Sequence, residues 1–98
     1  MASAQDSREA LLLQIYGRVQ GVSFRAAMRR QAEALGLTGW VRNRSDGSVE
    51  ALVAGPPAGV ERMRRWAQRG PPAAQVDRVQ SSPAQLPAAD SFEVHPTL

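Results

Sequence analysis

The chain has 98 residues and a formal charge of +3, with twelve arginines, no lysine, no cysteine and a single histidine, His95. That length suits one domain with a modest core. The lack of cysteine excludes disulfides, thiolate metal sites and cysteine nucleophiles, one histidine argues against a two-histidine metal site, and no run approaches the roughly 18 apolar residues of a membrane span.

Met1 to Glu9 is small and polar, without the apolar centre of a signal peptide, and reads as a loose tail before a single domain over 10–98. The expected compartment is the cytoplasm. Ala10 to Tyr16 is an almost continuous apolar run and predicts a central strand, with Leu11, Leu13 and Ile15 on one face. A glycine turn follows, opened by Gly17 and bent again at Gly21. From about Ser23 to Leu35 the spacing of Phe24, Ala27, Met28, Gln31 and Leu35 predicts a helix with one apolar stripe, stopped by Gly36. Thr38 to Asn43 is a second strand. Arg44-Ser45-Asp46-Gly47 is a hairpin turn, because Asp-Gly supplies the backbone conformations that reverse the chain. Ser48 to Ala54 is a third strand with Val49, Ala51 and Val53 on one face.

A second helix begins near Pro57 or Ala58 and ends by Gly70, with Val60, Met63, Trp66 and Ala67 inward. Ala74 to Gln80 is a fourth strand. Val76 and Val79 lie three apart there, which breaks strict alternation and predicts a bulge or an edge position. Ser81 to Ser91, with Pro83 and Pro87, reads as loop, and Ser91 to His95 as a short last strand. The order β-α-β-β-α-β plus a final strand predicts an α+β ferredoxin-like two-layer sandwich, with two helices on one face of a mixed, mainly antiparallel sheet.

The stretch from Gly17 to Arg25 joins strand to helix. Successive N–H groups in such a turn can point into one concavity and hold an anion, aided by the partial positive charge of the helix N-terminus. Arg25, in the first turn, can reach back over the concavity and grip a phosphate through two parallel hydrogen bonds. A plain glycine connection followed by a surface arginine fits the same spacing. The stretch lacks the Gly-Lys-Ser/Thr ending of the P-loop and the Gly-x-Gly-x-x-Gly of dinucleotide sites.

Gly17-Arg18-Val19-Gln20-Gly21-Val22-Ser23-Phe24-Arg25 resembles the first motif of the acylphosphatase family, Gly-x-Val-Gln-Gly-Val-x-Phe-Arg. Gly39 to Glu50 resembles its second, Gly-x-Val-x-Asn-x-x-Asp-Gly-x-Val-Glu. The resemblance runs from about Leu11 to Val94. It implies a five-stranded sheet and hydrolysis of acyl phosphates. It also implies that Arg25 binds the phosphate, that Asn43 orients the attacking water, and that the backbone amides of Val19, Gln20, Gly21, Val22 and Ser23 form the cradle. Ser23 departs from the glycine or aromatic residue common at its position, and its hydroxyl is expected to cap the first helix. By residues alone, Asn43 also fits a plain turn-forming asparagine. Gln20 gains no chemical role beyond its amide.

The chemistry agrees with that implication. Near the turn there is no histidine, no cysteine and no acidic cluster for Mg²⁺, so no metal and no cofactor are expected. A phosphate monoester has a poor alkoxide leaving group, whereas an acyl phosphate releases a carboxylate that is already stable as an anion. Amides, one arginine and one amide side chain then suffice to hold the phosphoryl group and place a water. The expected partners are a small acyl phosphate and inorganic phosphate, with no nucleic acid or membrane, and the chain is expected to act as a monomer. Arg29, Arg30, Arg62, Arg64, Arg65 and Arg69 read as solvated helix faces, Trp40 and Trp66 as packing residues, and His95 as inert.

Two other functions fit the element order. RRM domains share it, but stack bases on aromatics of the third strand, where this chain has Val49-Glu50-Ala51-Leu52-Val53-Ala54. A non-catalytic anion-binding domain, of the kind attached to larger maturation proteins, would keep both motifs.

Overall fold

The computed structural model describes residues 7–98, so most of the predicted tail lies outside the described residues. In chain order the elements are β1 (Glu9–Arg18), α1 (Phe24–Ala34), β2 (Thr38–Asn43), β3 (Val49–Gly55), α2 (Pro57–Ala67), β4 (Gln75–Ala84) and β5 (Phe92–Val94). The five strands form one sheet in the order β4-β1-β3-β2-β5. β1 pairs antiparallel with β3 and β4, β2 antiparallel with β3, and β5 parallel with β2. This is the ferredoxin-like sandwich that the sequence predicts.

Strand alternation decides what the helices cover. Leu13 and Ile15 of β1, Val41 of β2, and Val49, Ala51 and Val53 of β3 are all fully buried on the helix side. α1 meets them with Phe24, Met28 and Ala32, and α2 with Val60, Met63 and Ala67. In α1 the buried stripe runs through Ala32, and Gln31 is only half-buried. Trp66 is partly buried and meets the Phe24 ring edge-on at 5.5 Å, which locks the two helices together.

β1 runs further than predicted at both ends, and Gly17 lies inside it rather than opening a turn. Tyr16 faces Arg78 and Gly17 faces Val76, so Asp77 has no partner of its own. This bulge puts both Val76 and Val79 against the core, as their three-residue spacing predicted. A Cβ on Gly17 would lie 2.3 Å from the Gln75 carbonyl, so only glycine passes this close crossing. β4 also continues through Ser81 to Ala84, where the sequence reads as loop. Those residues pair with Ala10 to Leu13 of β1, and Pro83 is tolerated because β4 is an edge strand. At the opposite edge β5 is one residue shorter at each end than predicted, flanked by Gly39 N–H donating to Ser91 O at 3.0 Å and His95 N–H to Val41 O at 2.8 Å.

The other sheet face carries polar side chains. Glu50, only 5% exposed, accepts from Gln14 at 2.7 Å, Arg42 at 2.8 Å and Arg44 at 3.1 Å. Trp40 lies on this face, with the Arg42 guanidinium 4.6 Å from its ring centroid and the His95 ring stacked on it at 5.6 Å. Among the described residues no helix is long and apolar enough to cross a membrane.

Candidate active site

Val19 and Val22 are buried and pin the turn after β1 to the core, so the backbone between them faces outward. Gly21 has φ +72° and Ser23 φ +61°, while Gln20 and Val22 are not in the positive-φ region. Alternating backbone signs of this kind turn consecutive N–H groups to one side. A Cβ on Gly21 would meet nothing within 4 Å, so glycine serves here for its backbone freedom alone. Among the described residues, no backbone carbonyl accepts from the amides of residues 19–23. α1 starts at Phe24 with no acidic residue in its first turn, leaving the positive field of its N-terminus unopposed. The predicted Ser23 cap does not form: Ser23 is left-handed and makes no side-chain cap bond. Capping needs extended backbone at that position, and a left-handed residue aims its hydroxyl elsewhere.

Arg25 and Asn43 line one open cleft of about 780 Å³ together with Val19, Gln20, Gly21 and Ser23. Of the predicted cradle residues, Val22 alone is outside that lining, its side chain being in the core. Arg25 makes no ion pair among the described residues. Asn43, the last residue of β2, faces the helix side with its neighbour Val49. Its carbonyl accepts from Leu98 N–H at 3.1 Å. Its side-chain Oδ1 is buried and has no hydrogen-bond partner among the described residues. No three His, Asp or Glu residues among those described come together as a metal-ligand set.

The Acylphosphatase family model matches residues 11–94. The chain belongs to the acylphosphatase family. It is 52% identical to an acylphosphatase of Azoarcus sp., covering 99% of each chain, and 60% identical to one of Thiobacillus denitrificans over 76% of this chain and 83% of that one. An acylphosphatase structure from Coxiella burnetii superposes with a TM-score of 0.90 at 34% identity, covering 97% of this chain and all of that one. Acylphosphatases are hydrolases, and the RRM reading of the element order falls away.

For an acylphosphatase the Gln20 side chain is more than the sequence disclosed. Its Nε2 donates to the carbonyls of Arg44 at 2.8 Å and Ser48 at 2.9 Å, both on the β2–β3 hairpin. One amide group thereby ties the turn after β1 to the hairpin that follows Asn43. The hairpin is itself closed by Asp46, whose carboxylate accepts from Ser48 N–H at 2.9 Å and Ser48 Oγ at 2.6 Å. The Ser48 hydrogen bonds hold the Asp46 pKa below its ordinary value. A glutamine flanked by Val19 and Gly21 was the visible signal, but its distant partners were not. Arg29 and Arg30, read as solvated, also line the cleft with Glu33.

Proposed function

We propose that the cleft hydrolyses acyl phosphates by in-line attack of water on phosphorus. The turn amides and the Arg25 guanidinium hold the phosphoryl oxygens and offset their charge. Asn43 accepts from the attacking water through Oδ1 and donates through its amide nitrogen, which fixes the water opposite the leaving group. The new P–O bond forms as the bond to the carboxylate oxygen breaks, and the carboxylate leaves as a stable anion. The water's protons pass to phosphate and solvent. A loose transition state asks little activation of the nucleophile, so the site works without a general base or a metal ion.

The observation that carries this reading is the buried, unpartnered Asn43 Oδ1 in the same cleft as Arg25 and the turn. A buried acceptor with no protein partner is costly unless it serves something that enters. Arg25, Asn43 and the turn line one cleft of a single chain, which supports a small substrate acted on by a monomer. The 52% identity to an acylphosphatase of Azoarcus sp. supports the enzyme reading over an accessory anion-binding domain.

The test is hydrolysis of benzoyl phosphate in EDTA, with p-nitrophenyl phosphate as the monoester control. The expected result is EDTA-insensitive turnover of the acyl phosphate and none of the monoester. A folded protein that binds phosphate without turnover would favour the accessory domain, and turnover needing an added divalent ion would overturn the metal-free mechanism.

A further inference from the structure

The cleft continues past the cradle along α1. Arg25, Ala26, Arg29, Arg30 and Glu33 line it from the helix, and Val94 of β5 from across. These helix positions recur at three- and four-residue spacing, so they share one face. Their charges are not equivalent. Arg25 is taken up by the phosphoryl group. Arg29 lies 3.4 Å from Glu33, and the two largely cancel. Arg30 has no ion pair among the described residues, and it stands five positions, about 7.5 Å of helix rise, beyond Arg25. The facing Val94 is 39% exposed and offers an apolar wall.

We propose that this extension is an acyl subsite, and that it favours acyl phosphates whose acyl group carries a second anionic group. The inference rests on the cleft being the acyl phosphate site. With the phosphoryl group in the cradle, the body of the acyl group lies between Ala26 and Val94, and its far end reaches Arg30. That arginine is then a specificity-determining residue. A neutral acyl group fits the same walls but gains nothing from Arg30.

The test compares 4-carboxybenzoyl phosphate with benzoyl phosphate, which differ by one carboxylate on a rigid ring. The readout is the ratio of their kcat/KM values, so differences in intrinsic reactivity cancel between variants. Arg30→Ala should lower the ratio roughly 1.5- to fivefold, the range of an exposed ion pair. Glu33→Gln, which frees Arg29, should raise it by about twofold. Arg62→Ala on α2 removes an equal charge away from the cleft and should leave the ratio unchanged. An unchanged ratio in Arg30→Ala, or an equal drop in Arg62→Ala, would overturn the subsite while benzoyl phosphate turnover upheld the activity. Hydrolysis of neither substrate by the parent would overturn both.

Discussion

At the residue scale, two positions show how local strain and distant bonds shape the turn. Ser23 holds φ +61° without a compensating side-chain bond. A left-handed L-residue costs about 1–2 kcal/mol, and glycine gives back about 0.4–1 kcal/mol through a freer unfolded chain. Ser23→Gly should therefore stabilise the protein by up to ~1 kcal/mol, read as a higher urea midpoint at constant slope. Gln20 sits on the other side of the ledger. Its two bonds to the hairpin carbonyls vanish in Gln20→Ala, though each carbonyl keeps a backbone partner, since Arg44 N–H donates to Ser48 O and Gly47 N–H to Arg44 O. The expected loss is about 1–2 kcal/mol in the same experiment. A neutral Gln20→Ala would show that turn and hairpin are held together by other contacts. The sequence disclosed the residue types here but not the strain, because a left-handed serine follows from the path between Gly21 and the buried Phe24.

At the element scale, the β2–β3 hairpin is braced from outside the core by Glu50. Desolvation raises the Glu50 pKa, but hydrogen bonds from Arg42 and Gln14 and the charges of Arg42 and Arg44 together outweigh it, so the net shift is downward. A lowered folded pKa means that Glu50 stabilises fully above its ordinary value of 4.5 and loses this as pH falls through the folded value. Glu50→Gln should cost about 1 kcal/mol at pH 7, since its arginine partners are partly exposed. The gap from the parent should close in acid, as seen by urea unfolding across pH. A gap that persists at low pH would mean that packing, not charge, is what Glu50 supplies. Element existence was legible because β1 is an almost continuous apolar run, Val49, Ala51 and Val53 alternate in β3, and α1 and α2 keep helical spacing. The end of β4 was not. Ser81-Ser82-Pro83-Ala84 has no apolar alternation, and only its pairing with Ala10 to Leu13 makes it a strand.

At the scale of the whole molecule, the sheet order brings Asn43, the turn after β1 and the start of α1 to one cleft. The pairing of motif and motif was readable from Gly17 to Arg25 and from Gly39 to Glu50. Their meeting in space was not, because it depends on β3 lying between β1 and β2. If the cradle binds phosphate only in the folded state, inorganic phosphate at 100 times its Kd should add about 2.7 kcal/mol of stability. For a domain of this size that raises Tm by roughly 10 °C or more, and Arg25→Ala should lose most of the rise. The most direct test is steady-state hydrolysis of benzoyl phosphate by the parent, Arg25→Ala and Asn43→Ala. Arg25→Ala should lose both substrate binding and turnover, and Asn43→Ala should lose roughly 10²–10³ in kcat with little change in inhibition by phosphate. Near-parental kcat in Asn43→Ala, or near-parental kcat/KM in Arg25→Ala, would contradict the proposed mechanism.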